Sequence, residues 1–358
     1  MLRRNIIILA ALLLILTAVC RVPISGNVRL SFQLLFQISI AVLLAYAIWF
    51  FGNKWLAGLL ILSTISCFYP TLSISSFITF QLVVFGAVWY LILVYALKPK
   101  WVNILLDAMC IIALCNVLYQ TGQRFHFDLI YKDGGKTVGL MSNPNELSAL
   151  LAFCLPAFFR KTWVWFIPVV VLGFLTLGGA KGSFGGVVAS LAAVTVFLFK
   201  FERKWIGIAG IAGAIIVGFL FFNYNDGATI SGRLKVWLVG WNLYRENGFF
   251  GFGLGNWSVV FFDSELRQVL GTWFAHAHND LLQGVFEMGI SFAVLTVGYF
   301  GSIVRRINKK AILSLAAITA IVVNSLVNFP FHIAITAMIA VTWMAILDVE
   351  LNDSKAIS

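Results

Sequence analysis

The stretch WFAHAHNDLLQGVFEMG, Trp273 to Gly289, holds two of the chain's four histidines, His276 and His278, beside Asn279 and Asp280. Glu287 follows inside an apolar run. A neutral imidazole, with an ordinary pKa near ~6.5, can take the proton of an attacking hydroxyl at neutral pH. The segment can therefore supply a general base; helix capping is the plainer reading of the same histidines. Zinc is not indicated, because it takes about three or four ligands and no cysteine or HExxH partner stands nearby. Glu287 comes nine residues after His278, about 180° around a helix and about 13 Å along it, so one helix cannot pair the two. A carboxylate inside an apolar span is costly, which predicts a partner on a neighbouring helix.

Cations stand at the other polar points. Lys181 sits in the turn GGAKGS, where it reads either as a solvated turn residue or as a site for an anionic headgroup. Arg233 follows Ser231-Gly232 and opens RLKVWLVGWNLYRE, in which Leu234, Trp237, Leu238 and Trp241 recur at i, i+3, i+4 and i+7. An apolar face with tryptophans suits a helix lying in the membrane interface. Ser231 is the expected N-cap, which would put Arg233 in the first turn, where free backbone N–H groups favour a phosphate. A guanidinium there can bind that phosphate bidentately. Arg124, Arg245 and His332 are further candidates for contact with a substrate. GFGLGN, Gly251 to Asn256, only superficially resembles a nucleotide loop, since no strand precedes it. Its glycines suit a chain turning closely back on itself.

The elements that must position these groups follow from composition. The chain is 61% hydrophobic and 11% charged, with a mean hydropathy of +0.96. Soluble domains carry about 25% charged residues, and only a bilayer can solvate so much apolar surface. The fold class is therefore an all-α polytopic membrane protein, residues 1–358 forming a single integral membrane domain. Apolar runs predict about 12 transmembrane helices, near 5–20, 30–51, 55–69, 77–97, 101–119, 140–159, 163–178, 184–199, 205–222, 280–304, 311–328 and 331–347. The N-terminal run looks like a signal peptide, but further spans follow at once, so an uncleaved first helix is expected. Five cysteines lie in apolar runs without a CxxC pair and suggest neither disulfides nor a metal.

Lys54, Lys98/Lys100, Arg160/Lys161, Lys200/Arg203/Lys204 and Arg305/Arg306/Lys309/Lys310 fall in alternate loops, on one side with Arg3 and Arg4. Basic short loops stay cytoplasmic, so both termini, including a tail at 348–358, are expected inside. The net charge of +11 is then largely a topology signal and needs no nucleic-acid partner. All four histidines, Lys181, and a long loop at about 223–279 carrying Arg233 and Arg245 fall outside, at an extracytoplasmic membrane surface.

Four blocks between about residues 139 and 335 form a recognisable series: GLMSNPNELSALLAFCLPAFF, TLGGAKGSFGG, SGRLKVWLVGWNLYRENGFFGFGLGNW and HAHNDLLQGVFEMG, with SLVNFPFHIA a weaker fifth. In order and spacing they resemble the O-antigen ligase and polymerase superfamily of bacterial membrane glycosyltransferases. The first five helices, over 1–119, match only in hydrophobicity; the region like the family is 120–347. The resemblance implies transfer of a glycan from an undecaprenyl-diphosphate carrier to an acceptor hydroxyl outside the cytoplasmic membrane. The acceptor would be another glycan (a polymerase) or a lipid core (a ligase). It places catalysis on Lys181, Arg233 and His278; Arg124, Arg245, His276, Asn279, Glu287 and His332 are the expected substrate contacts. Lys181 departs from the family's usual arginine; it keeps the charge but loses the bidentate fork. No carboxylate cluster such as DxD occurs in the outer loops, so no cofactor or metal is expected and fixed cations should stabilise the leaving diphosphate. Direct displacement implies inversion at the anomeric carbon. A lipid-linked glycan flippase or other transporter is the alternative, and would place charges near the bilayer midplane.

Overall fold

A bilayer admits helices because each satisfies its own backbone hydrogen bonds, and among the described residues all regular structure is helical. The computed structural model describes residues 45–49, 53–67, 73–125, 138–141, 143–175, 227–263, 274–307 and 311–353. Its helices are α1 (Lys54–Cys67), α2 (Ile74–Ala96), α3 (Val102–Arg124), α4 (Pro144–Cys154), α5 (Ile167–Leu175) and α6 (Gly227–Asn247). Then follow α7 (Trp257–Asp263), α8 (Asp280–Met288), α9 (Ile290–Arg306), α10 (Ile312–Ser325) and α11 (Ala334–Asp353). Three of them contain segments long and apolar enough to cross a membrane: Ser75–Ala96, Val102–Arg124 and Ala334–Asn352. The spans expected near 5–20, 184–199 and 205–222, most of that near 30–51, and Lys181 lie outside the described residues.

The chain divides into two compact units. One comprises Met1–Pro23, Ile92–Ala214 and Ile307–Ser358. In it α4 packs against α3, α10 and α11, with Leu150, Phe153, Trp343 and Ile346 buried. The Trp343 indole N–H donates to the carbonyl of Phe153 at 2.9 Å, which satisfies its one polar atom inside this core. α4 starts where Asn143 caps it, its Oδ1 accepting from the amides of Asn145 and Glu146, with Pro144 in the first turn. The run 140–159 is not one continuous α-helix but an eleven-residue helix that passes directly into a 3-10 turn, Leu155–Phe158. Pro156, lacking an N–H, cannot continue the α-helical ladder. Leu118, on α3, is 67% exposed, as expected of a side chain whose solvent is lipid.

The other unit comprises Ile24–Leu91 and Ile215–Arg306. α9 lies along α1, α8 packs on α9, and α6 packs on α8. The single span expected over 280–304 is two helices. Gly289, at φ 75°, ends α8, and a Cβ there would run into the carbonyl of Phe249. Hydropathy alone does not register such a break. A second correction concerns α6: it begins at Gly227, not after Ser231, so Arg233 lies in its second turn rather than beside the free amides of its first. Nothing in Gly227–Ile230 disrupts a helix, and a serine is tolerated within one.

Candidate active site

The site lies within the second unit and rests on an aromatic floor. Val236 and Val239 of α6, Trp257 and Phe261 of α7, Phe252, Ala277, and Phe286 of α8 form one buried cluster. The Trp257 ring stacks on Phe261 at 5.5 Å and on Phe286 at 6.0 Å. Replacing a buried ring of this size by alanine costs about 3–5 kcal/mol. α6 turns Arg233, Val236 and Gly240 inward at helical spacing, while Leu238 and Trp241, from the face expected to be apolar, are exposed.

The glycine loop that precedes α7 has Gly251, Gly253 and Gly255 all at positive φ. A Cβ on Gly255 would stand 2.8 Å from the Ser75 carbonyl, so the loop needs glycine both for its dihedrals and for its closeness to α2. This turn directs its amides at Glu287. Gly255 N–H donates to Glu287 Oε2 at 2.8 Å and Trp257 N–H to Oε1 at 3.2 Å. Gln283 Nε2 adds a third donor, to Oε1 at 3.0 Å. The buried carboxylate thus meets backbone amides of the glycine loop and of the start of α7, a neighbouring helix, together with a residue of its own helix. An amide-lined turn at a helix start favours an anion, and here the chain supplies that anion itself.

The histidine segment, Phe274–Asn279, is held by the same construction. Ala277 N–H donates to Gln283 Oε1 at 2.9 Å, and the Trp237 indole donates to the Ala277 carbonyl at 2.8 Å. Asn279 caps α8, its Oδ1 accepting from the Leu282 amide at 2.9 Å. Between these fixed neighbours His278 has φ 54°, the one non-glycine at positive φ among the described residues. That conformation is uncommon for a side chain with a Cβ and persists where surroundings enforce it. The Phe274 ring meets the imidazole edge-on at 5.9 Å.

Arg233 acts on His278. Burial, together with the positive charge of Arg233, pushes the His278 imidazole down to about 4, so it is neutral at pH 7. Burial alone pushes Arg233 down to about 10, which leaves it a cation at pH 7. The unit thus presents a neutral base and a buried cation together. His276 and Asn279 share the histidine segment. Arg245, twelve residues after Arg233 on α6, is exposed and about 18 Å along the helix. Arg124, exposed at the end of α3, and His332, in the turn Pro330–His332, belong to the first unit. Among the described residues no three His, Cys, Asp or Glu side chains gather as metal ligands. Sequence reading missed Gln283 and Trp237, although the spacing of Gln283 four before Glu287 was a visible signal.

Residues 147–297, which include Arg233 and the whole histidine segment, match the O-antigen ligase family. This stretch is an O-antigen ligase family domain. No curated protein matches the chain. The match supports, at the family level, a membrane enzyme that transfers glycans, consistent with the chain's apolar helices. Lys181 falls inside the O-antigen ligase stretch, and Arg124 and His332 fall outside it.

Proposed function

We propose that the protein moves a glycan from an undecaprenyl-diphosphate carrier to an acceptor hydroxyl at the outer face of the bacterial cytoplasmic membrane. The reading is supported above all by one arrangement: His278, held at φ 54° between hydrogen-bonded neighbours, and the buried Arg233 lie in one unit and in the stretch that matches the O-antigen ligase family. His278 takes the acceptor hydroxyl's proton while that oxygen attacks the anomeric carbon. As the new C–O bond forms, the bond to the carrier phosphate breaks and the electron pair leaves with the diphosphate. The growing charge is met by Arg233, with Lys181 as the second cation. The imidazolium then yields its proton to water. Displacement from the opposite face inverts the anomeric centre, and fixed cations take the place of a metal.

Transfer by the purified protein in nanodiscs tests this, with a labelled undecaprenyl-diphosphate oligosaccharide as donor and a chelator in a parallel reaction. New glycosidic bonds with carrier-linked glycan as acceptor indicate a polymerase. Bonds formed only when a lipid core is added indicate a ligase. Headgroup movement across the bilayer without any new bond would overturn the reading in favour of a transporter, and loss of activity to the chelator would overturn its metal independence.

A further inference from the structure

A left-handed histidine must be held from both sides, and the second unit holds it so. The dihedral φ of His278 is set by the peptide that joins it to Ala277, whose carbonyl accepts from Trp237. The N–H on the other side of Ala277 donates to Gln283. Beyond His278, the Asn279 carbonyl accepts from the Gln283 amide at 2.9 Å, tying the next residue into the first turn of α8. Gln283 can serve Ala277 only with its oxygen toward that amide, which turns its –NH2 toward Glu287. A carboxylate accepts only, and Glu287 faces three donors. Any group bearing its own N–H there would set donor against donor and release Gln283.

We propose that Glu287, Gln283 and Trp237 form a positioning relay for His278. The carboxylate, fixed by the glycine loop, orients Gln283; Gln283 and Trp237 then grip Ala277 and hold the imidazole beside Arg233. None of the three touches the reacting atoms. The inference rests on the reading of His278 as the base. It goes beyond that reading by assigning catalytic consequence to an intramembrane glutamate and to a glycine loop that resembles a phosphate site but is filled by the protein's own carboxylate.

The charges on the elements concerned are Arg233 on α6, His276 in the segment, and Asp280 and Glu287 on α8. Lys235, Arg245 and Glu246 of α6 are exposed, and α9 carries Arg305 and Arg306 in its last turn. Release of the segment therefore removes the imidazole chiefly from burial and from Arg233. Gln283→Met, which keeps the bulk, and Trp237→Phe, which keeps an aromatic ring, each lose the hydrogen bond and are compared with the wild type and His278→Ala in nanodiscs across pH 3.5 to 8. For Gln283→Met we expect kcat to fall at least about tenfold, with KM for the donor within about twofold, since small misplacement of a reacting group is costly. The acid limb of the profile, at about 4 in the wild type, should move up toward the ordinary histidine range. Trp237→Phe should move it the same way by less.

Wild-type kcat and an unmoved limb in both variants would overturn the relay, as would lowered kcat with the limb unmoved in both. If Gln283→Met does not fold, Trp237→Phe is judged alone by the same criteria. An active wild type with a dead His278→Ala and unmoved relay variants condemns the relay only. A wild type that forms no bond, or a His278→Ala that is fully active, condemns the proposed function and the relay with it.

Discussion

Each of the two units buries a polar side chain whose task is to hold a loop, and the two do it with different chemistry. In the first unit Gln123 accepts from the amides of Val138 and Gly139, each at 2.9 Å, and donates to the Gly139 carbonyl at 3.2 Å. Asn116 takes the next amide, that of Leu140, at 3.1 Å. A neutral amide suits a loop that offers both donors and an acceptor. In the second unit the glycine loop turns two N–H groups the same way, and only an anion satisfies them together with Gln283. The neutral clamp costs little to bury; the charged one is tolerable only while every lone pair it offers is met. The difference marks the second unit as the place where a defined geometry is held at some risk to stability.

The largest effects should come from breaking what that geometry serves. His278→Ala should lower kcat by about 10²- to 10⁴-fold, the usual contribution of a general base, with the melting temperature little changed. Arg233→Lys should follow, losing about 10- to 10²-fold, mostly in kcat, because lysine keeps the charge without the planar fork. Steady-state transfer assays on both variants read this directly. A His278→Ala enzyme near wild-type turnover would reduce the second unit to a structural counterpart of the first.

Acid should separate the units next. Folded His278 stays neutral down to about 4, whereas an unfolded imidazole takes its proton near ~6.5. Between those values the unfolded chain binds more protons, so stability falls as the pH drops through the window, by roughly 3 kcal/mol at its lower end. The effect is absent above the unfolded value. Thermal melts at pH 7.5 and pH 5 should show a smaller acid-induced drop for His278→Gln than for the wild type. Equal drops would mean that the imidazole is not buried neutral.

The helical membrane class was legible in the sequence, and so were His278 and Arg233 as candidates that the second unit holds together, because composition, histidine in a polar segment and arginine on a helix are local signals. What was not legible is non-local or backbone-borne. Ser231 looks like a cap, yet the four residues before it extend the helix, and only hydrogen bonding further along decides the start. Gly289 interrupts an apolar run without altering its hydropathy. Two of the donors to Glu287 are amides some thirty residues upstream, which carry no side-chain signature. The glycines alternating over Gly251–Gly255 were a trace of that loop, but not of what it holds. Lys181 lies outside the described residues, and its part in the site stands on the family resemblance.

A smaller effect sharpens the comparison from the first unit. Gln123→Leu removes the clamp and leaves the amides of Val138 and Gly139 without that acceptor, which should cost about 1–3 kcal/mol of stability. Turnover per folded molecule should stay within about twofold, since that clamp serves no base. A lowered melting temperature with unchanged kcat checks it. A fall in kcat equal to that of Gln283→Met would erase the distinction between a holding amide and a positioning one.

The smallest effect is expected at Arg245. It shares α6 with Arg233, and by charge alone the two are equivalent candidates for a phosphate. Their surroundings are not equivalent. Arg233 is 7% exposed and bears on His278; Arg245 is exposed in the last turn, about 18 Å along the helix. An exposed cation is screened by water and salt and adds little to a transition state that far away. Arg245→Ala should therefore leave kcat within about twofold and raise KM for the donor at most a few-fold, with the rise shrinking as salt is added. A tenfold loss in kcat would place the diphosphate nearer the end of α6 than its middle, and would move the electrostatic centre of the site away from the buried arginine.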